Sequence, residues 1–462
     1  MRRSTRLLLL LAVGTVALLV SPAGAIAEHE TRPHTDNMRA EGHSPDFGSF
    51  LLSDGQRDAN SDLAFQKNLV FHGDYDGFRI VKGGKNPKLI SRTRCNGDQG
   101  DIVVWEDVLV RSWNSPKTEA RHCDGTLVPA GFEGVHIFDI SDLDDPKLVG
   151  EIELSARPGA DQPGCGSHTT TLVPDLEDNR VLIYNATSGG NAALPEGLRD
   201  CDWVDILQVP LDDPGAGGHL HREPLMGGHA AHDNGAILGD VNKLAAASGH
   251  MSNVFDIGDN DTPGGSLEDP EPLYTIEEAG VCNTGDPVLC NGNWHSASFT
   301  WDGEVVILGW EPGGGAAPEC EATDPPVKKS AFFYDADTGA KLGQWTLPRP
   351  QSAAENCTIH NYNVVPLRDG RYVLVSGNYQ AGTWVTEFTD PANPVTLGWS
   401  DPPPLVPTQL GGAWSSYWYN GLIYESEITK GLNVFRFTGK ETRKDIRLRH
   451  LNPQTQEFSI DD

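Results

Sequence analysis

The chain has 462 residues, with 65 acidic and 35 basic side chains and a formal net charge of −30 at pH 7. A protein this acidic is repelled by nucleic acids and by anionic membrane surfaces, which we therefore exclude as partners. Beyond the N-terminus the sequence has no apolar stretch of the roughly 18 residues that a membrane-spanning helix needs, so we expect no membrane span.

The N-terminal residues predict export. Three arginines precede the apolar stretch Leu7–Val20, and the small residues Ala25 and Ala27 offer a cleavage site. This is the pattern of a secretory signal peptide, which we assign to residues 1–27. We therefore expect a secreted, extracellular or cell-surface protein. Residues 28–60 are polar and show no hydrophobic period, so we predict an unpatterned arm.

A strand pattern repeats through residues 61–462. Its clearest copy, Gly134–Asp142, is followed by a second apolar run at Asp145–Gly150, and related pairs occur at 77–90 and 383–398. Short β-branched and aromatic runs separated by Gly, Asp, Asn and Pro predict antiparallel strands. We count seven four-stranded units, whose first strands begin near Asp62, Asp101, His168, His232, His295, His360 and Trp414. The predicted fold is all-β, a single seven-bladed β-propeller, because a radial array leaves only short edges.

The eight cysteines of an exported chain predict four disulfides. We expect neighbours in sequence to pair, because each bond would then clamp one inserted loop or join two adjacent units. The predicted pairs are Cys95 with Cys123, Cys165 with Cys201, Cys282 with Cys290, and Cys320 with Cys357. Thiolate metal ligands are the alternative, but the sequence has no Cys-x-x-Cys spacing.

A histidine occupies the same place in four successive units: His168, His232, His295 and His360. Residues at one place in a closed array converge on its axis, and imidazole is a good ligand for Cu, Zn, Mn or Fe. The sequence therefore predicts an axial transition-metal site. Two alternatives remain open, namely hydrogen-bonded structural histidines and direct binding of substrate without a metal.

The loops between second and third strands return to the same end of the propeller. They bring Glu311 and Tyr379 to this end as candidate catalytic groups for proton transfer. Further candidates for the rim of the site or for contacts behind the ligands are His229, His250, Asn378, Glu425 and Glu427.

The two runs at 134–150, Gly-Val-His-Ile-Phe-Asp-Ile-Ser-Asp and Asp-Pro-Lys-Leu-Val-Gly, resemble the LVIVD-repeat proteins, a family of secreted and surface β-propellers. The resemblance covers most of Leu63–Thr438 and implies fold more than function. At the level of the site alone, the histidine-lined axis is similar to two groups of propeller enzymes. These are the copper-dependent methanethiol oxidases of the selenium-binding protein family and the manganese-dependent oligogalacturonate lyases, and they imply oxidase or lyase chemistry.

Two classes of function follow. In the first, the protein is a metal-dependent enzyme acting on a small molecule or glycan, and we rank an oxidase above a lyase because basic side chains near the rim are few. In the second, it is a non-catalytic platform that binds a protein or glycan through the loops Pro116–Gly131 and Gly313–Pro326, with a structural metal or none. We expect a monomer in either case.

Overall fold

The structure is a computed structural model that describes residues 32–45, 59–97, 99–227, 229–239, 241–258, 264–278, 293–311, 315–405 and 410–457. Every described element longer than four residues is a β-strand, which confirms the all-β prediction. Three short 3-10 helices are Pro214–Ala216, Pro326–Lys329 and Lys440–Thr442. Within these ranges no helix is long and apolar enough to cross a membrane. The predicted signal peptide lies outside the described residues.

In the part of the chain that the structure describes, the strands form four-stranded antiparallel units arranged as a β-propeller, and we number these units blades 1 to 7 in chain order. In chain order the strands are β1 (Met38–Pro45); β2 (Asn60–Gln66), β3 (Leu69–Asp74), β4 (Gly77–Lys82) and β5 (Lys88–Arg94) in blade 1; β6 (Ile102–Trp105) and β7 (Val108–Trp113), the inserted hairpin β8 (Arg121–Cys123) and β9 (Thr126–Val128), then β10 (Gly134–Asp139) and β11 (Lys147–Glu153) in blade 2; β12 (Thr169–Asp175), β13 (Arg180–Ala186), β14 (Trp203–Pro210) and β15 (Gly218–Pro224) in blade 3.

The list continues with β16 (Ala231–Ile237), β17 (Lys243–Ser248), β18 (Ser252–Asp256) and β19 (Glu271–Ile276) in blade 4; β20 (Asn293–Phe299), β21 (Val305–Glu311), β22 (Ser330–Asp335) and β23 (Lys341–Thr346) in blade 5; β24 (Asn361–Val364), β25 (Val373–Gly377), β26 (Thr383–Glu387) and β27 (Val395–Ser400) in blade 6; β28 (Ala413–Tyr419), β29 (Leu422–Glu427) and β30 (Gly431–Phe437) in blade 7; and finally β31 (His450–Leu451) and β32 (Thr455–Gln456). The first strands of consecutive blades contact one another in order, and β28 of blade 7 contacts β2 of blade 1.

The outer strand of blade 7 comes from the N-terminal part of the chain. Strand β1 pairs antiparallel with β30, from Met38 opposite Phe437 to Pro45 opposite Gly431. The sequence analysis assigned residues 28–60 to an unpatterned arm, and β1 corrects that prediction over eight residues. As the last strand of its sheet it pairs on one side only, and its mostly polar sequence shows little hydrophobic alternation. It joins the ring at the point where the first and last blades meet.

The C-terminal segment, residues 450–457, lies across the ends of several first strands. Strand β31 pairs with β2, and β32 pairs with β16 in parallel. The Asn452 side-chain amide donates to the Val104 carbonyl oxygen at 3.0 Å and accepts from the Val104 N–H at 2.9 Å. Thr455 donates to the Leu172 carbonyl at 2.8 Å. These contacts lie at the opposite ends of the first strands from the four histidines, so the segment covers the far end of the axial channel.

Local features repeat even where the sequence repeat is weak. In each of blades 1 to 6, a β-bulge interrupts the pairing between the third and fourth strands. The glycines that open the third strands of blades 1 and 2, Gly77 and Gly134, have φ of 145° and 142°. A Cβ at either position would overlap a carbonyl oxygen of the outer strand, of Thr93 and Ile152 respectively. The glycine at the start of the repeat is therefore a backbone requirement.

Hydrophobic clusters between neighbouring blades hold the array together. Phe78 of blade 1 meets Phe138 of blade 2 edge to face, with ring centroids 4.9 Å apart. Trp384 and Trp399 stack at 5.2 Å in blade 6, and Trp345 of blade 5 lies beside them. Burying each such ring contributes about 1.5–3 kcal/mol. The packed layers fix the relative position of the blades and thereby of the side chains on the axis.

Three predicted disulfides lie where the sequence analysis placed them, namely Cys95–Cys123, Cys165–Cys201 and Cys320–Cys357. The fourth pair, Cys282 and Cys290, falls outside the described residues. Each of the three bonds closes a loop of 28 to 37 residues, a length at which a disulfide typically stabilises by about 2–4 kcal/mol.

Candidate metal centre

Irregularities at the start of the first strands aim the histidines at the axis. The pairing of β16 with β17 shifts between Ala231 and Asp233, so that His232 is an extra residue in the ladder. The same shift between Trp294 and Ser296 leaves His295 unpaired with β21. A β-bulge of this kind redirects one side chain without disturbing the rest of the strand. His168 and His360 instead come directly before β12 and β24.

The four imidazoles lie side by side. Ring centroids are 4.3 Å apart between His168 and His232, 4.1 Å between His232 and His295, and 4.2 Å between His295 and His360. The structure therefore brings together all four histidines that the sequence singled out. They line one cavity of about 300 Å³ at the end of the propeller where the first strands begin.

The main chain of the next blade faces the Nδ1 side of these rings. His360 donates from Nδ1 to the carbonyl oxygen of Trp414 at 2.5 Å. In the same way, the main chain of His360 faces the ring of His295, and the main chain of His295 faces the ring of His232. In these two rings, however, Nδ1 makes no hydrogen bond of good geometry. A ring that donates from Nδ1 carries its lone pair on Nε2, the nitrogen that can then bind a metal.

Burial favours the neutral form of these rings. It lowers the pKa of His360 to about 3, against the opposing effect of the Trp414 carbonyl. Burial also holds the pKa of His232 and of His295 well below the ordinary value, and neighbouring imidazoles lower both further. Neutral imidazole is the form that binds metals, so no proton has to be removed from these three rings at neutral pH.

Glu311, at the end of β21, faces the same three rings. Its Oε2 lies 3.8 Å from Nε2 of both His232 and His295, and its Oε1 lies 3.7 Å from Nε2 of His360. Burial raises the pKa of Glu311 to about 7, while a hydrogen bond from Tyr379 acts in the opposite direction. The sequence analysis treated Glu311 as a proton-transfer group, but its position among the imidazoles also makes it a candidate ligand.

The loop after β21 closes over Glu311. A Cβ on Gly315 would overlap both Oε1 of Glu311 and the phenol oxygen of Tyr379. The Asn356 side chain donates to the Gly315 carbonyl at 2.9 Å, and it accepts from Gln380 at 2.7 Å. The disulfide Cys320–Cys357 ties the same loop to the segment that precedes β24 of blade 6. These contacts keep water and side chains away from one side of the carboxylate.

His168 has a different setting from the other three. The Asn114 amide donates to its Nδ1 at 2.9 Å, and the Gln99 amide nitrogen lies 3.4 Å from its Nε2. An ion could bind Nε2 in this ring once the Asn114 amide turns its oxygen toward Nδ1. The sequence analysis missed both amides. Gln99 lies just before the first strand of blade 2, as the histidines do in their blades, and that alignment was the available signal.

Five other candidates do not line this cavity. His229 and His250 face each other at 5.9 Å, and burial lowers the pKa of His250. Asn378 donates to main-chain atoms of its own turn. Glu425 accepts from Thr383 and Asn433, and Glu427 accepts from Gly412 and Thr429. The hydrogen bonds of Asn378, Glu425 and Glu427 brace the strands and turns of blades 6 and 7.

The donor set fits a transition metal. His232, His295 and Glu311 each offer one ligand atom within 4.8 Å of the others, in a buried site. Imidazole nitrogen with one carboxylate suits Zn, Cu, Fe or Mn better than Ca or Mg, which prefer oxygen alone.

No protein-family model and no curated protein matches the sequence. Among solved structures, the chain is similar to the WD40 β-propeller domain of Doa1, with 11% identity, a TM-score of 0.45 and coverage of 89% of this chain and 100% of that one. It is also similar to the computationally designed Ika8 protein, with 14% identity, a TM-score of 0.41 and coverage of 82% and 96% respectively.

Proposed function

We propose that this protein is a secreted metal-dependent enzyme whose active site is the axial histidine cluster. One transition-metal ion, Cu, Zn, Mn or Fe, binds the Nε2 atoms of His232, His295 and His360 together with Glu311. His168 supplies the fourth imidazole. Tyr379 stands next to the carboxylate and takes part in proton transfer.

One observation carries this proposal. Three Nε2 atoms face the two oxygens of a single carboxylate at 3.7–3.8 Å. That separation is too long for a hydrogen bond. It matches two donors on one ion, because metal–nitrogen bonds of about 2.0–2.1 Å and metal–oxygen bonds of about 2.0–2.2 Å leave donors about 3–4 Å apart. Without an ion, a buried carboxylate and three neutral imidazoles would leave this polar pocket poorly satisfied.

The reaction class follows from the ion and the lining of the cavity. A bound ion acts as a Lewis acid or a redox centre. In a lyase acting on a uronate the ion alone would have to neutralise the substrate carboxylate, since the described lining residues include neither lysine nor arginine. We therefore rank an oxidase, with Cu or Fe, above a lyase.

We also propose that the protein is exported and that it is related to the LVIVD-repeat family. Residues 1–27 act as the signal peptide, residues 28–60 lead into the propeller, and residues 61–462 form most of it. Three disulfides fit an oxidising compartment. The glycines at 77 and 134 give the LVIVD-type repeat a physical role in blades 1 and 2, which supports the relation to that family.

Metal analysis of untagged, full-length protein tests the site. We expect about one equivalent of a transition metal, and we expect His295→Ala to lower metal content by about tenfold or more, since one lost ligand costs at least ~1.4 kcal/mol. His122→Ala is the matched control, because His122 is an exposed imidazole in the hairpin of blade 2.

The proposal fails if several preparations contain no transition metal, or if His295→Ala keeps full occupancy while remaining folded. In that case the histidines would be structural, and the propeller would serve as a binding platform.

A further inference from the structure

We infer that the axial site acts on a small uncharged molecule with an aromatic ring, which lies against an apolar wall formed by Tyr75, Leu410 and Trp414. This inference rests on the proposed function, because it names the substrate class of the same site. It is carried by the chemical difference between the two halves of the cavity.

The first half is the arc of histidines from blades 3 to 6, with Glu311 beside it. The second half belongs to blades 7 and 1, where the position of the histidine is taken by Trp414. The pairing of β28 with β29 shifts between Ala413 and Ser415, so Trp414 is the extra residue in its strand, as His295 is in blade 5. The same bulge therefore presents an indole in place of a fifth imidazole.

The apolar wall is firmly supported from behind. Trp414 packs with Ala59, Ile428 and the ring of Tyr379, and Tyr75 and Leu410 lie partly exposed against this cluster. His360 fixes the main chain of Trp414 through the hydrogen bond to its carbonyl. The wall is thus a preformed surface, and a flat ring can stack on it without reordering side chains.

The side-chain charges of the cavity disfavour anions. Among its described lining residues, Glu311 is the single carboxylate, and there is no lysine or arginine. The chain as a whole carries a net charge of −30. Apart from the proposed ion, whose charge Glu311 offsets in part, an anionic substrate would find no cationic side chain in exchange for its hydration, so a neutral molecule is favoured.

The size of the cavity limits the substrate to about one ring with short substituents. Its volume of about 300 Å³ is at the lower end of the range for ligand sites. The C-terminal segment covers the other end of the channel, so a ligand cannot extend along the axis. The remaining lining groups, Gln99, Ser188 and Asn293, offer hydrogen bonds to a hydroxyl or carbonyl on the ring.

Ligand-detected NMR with full-length protein as purified tests the inference, using phenol as the neutral aromatic probe, benzoate as its anionic counterpart and galacturonate as an anionic sugar. We expect phenol to bind about tenfold more tightly than benzoate, and galacturonate to show no binding. Trp414→Leu and Tyr75→Leu should each weaken phenol binding by about threefold to tenfold, as expected for the loss of one aromatic contact.

Metal content is measured in every variant, so that the two proposals can fail separately. A wall variant that keeps its metal but binds phenol more weakly supports the inference. If the unchanged protein binds phenol but contains no metal, only the proposed enzyme function fails. Tighter binding of benzoate or galacturonate than of phenol overturns the inference. Unchanged phenol binding in Tyr75→Leu also overturns the inference. This variant provides the test if Trp414→Leu does not fold.

Discussion

Tyr379 donates a hydrogen bond of 2.9 Å from its phenol to Oε1 of Glu311. Its backbone has φ of 50°, a left-handed conformation that is costly for a bulky residue. Two hydrogen bonds of 2.8 Å, one in each direction between the main chains of Tyr379 and Ala413, hold it there. The strained turn between β25 and β26 thus presents a phenol to the carboxylate that faces the imidazoles.

Tyr379→Phe should shift the pH at which the protein takes up metal. The phenol hydrogen bond opposes the effect of burial on the pKa of Glu311, so removing it raises that pKa further. A metal ligand must be deprotonated, and half-maximal occupancy should therefore move to higher pH. Metal content after dialysis at a series of pH values measures the shift.

Tyr372→Phe is the matched control for this change. Tyr372 also donates to a carboxylate, Oδ2 of Asp302, at 2.6 Å, but in an exposed turn. Its loss should leave the metal-uptake curve unchanged. If both variants move the curve equally, or neither does, Tyr379 has no special role in the site.

Gly315→Ala should impair metal binding more than its effect on stability explains. The new Cβ would overlap the carboxylate of Glu311 and the phenol of Tyr379, and φ of 71° adds strain of about 1 kcal/mol for a residue with a side chain. Gly370→Ala carries the same backbone strain at φ of 68°, with open space around it. Both should lower the melting temperature by a few degrees, and only Gly315→Ala should lose metal. Equal metal content in the two variants would contradict the close approach at Glu311.

The sequence predicted much of the fold and the membership of the histidine cluster, because both depend on a repeat that can be read directly. The bulges that aim His232 and His295 at the axis were not predictable, since a bulge depends on pairing with the neighbouring strand. Strand β1 was missed for the same reason, because its partner β30 lies almost 400 residues away, with Ala40 opposite Phe435. The distance of 3.7 Å from Glu311 to His360 likewise depends on how blades 5 and 6 pack against each other.

Asp101→Asn should stabilise the protein at alkaline pH. Burial, and to a smaller extent the charge of Asp62, raises the pKa of Asp101 from 3.8 to about 7. A carboxyl whose pKa is raised in the folded state lowers the free energy of unfolding as pH rises from about 4 to about 7. Above that range the protein remains less stable by the same amount. The asparagine oxygen can still accept from the main chain and hydroxyl of Thr170, which now bond to Oδ2 at 2.6 and 2.8 Å.

Thermal unfolding at pH 4 and pH 8 measures this effect. The variant should melt above the unchanged protein at pH 8, and the difference should shrink toward pH 4. Asp144→Asn, at an exposed turn position, should show no such dependence. A constant difference at the two pH values would mean that the pKa of Asp101 is the same in the folded and the unfolded protein.

Asn452→Ala should destabilise the protein strongly although the residue lies only ten positions from the end of the printed sequence. Its amide satisfies both the N–H and the carbonyl of Val104 in the first strand of blade 2, and the residue is 1% exposed. Leaving two buried main-chain groups without partners costs about 1–3 kcal/mol each. Asn393→Ala is the control, because this asparagine donates to Asp390 in an exposed turn, and it should change stability by less than about 0.5 kcal/mol. Denaturant unfolding compares the two variants. If they are equally stable, the C-terminal segment does not hold the first strands together, and the far end of the channel is open often enough for water to satisfy Val104.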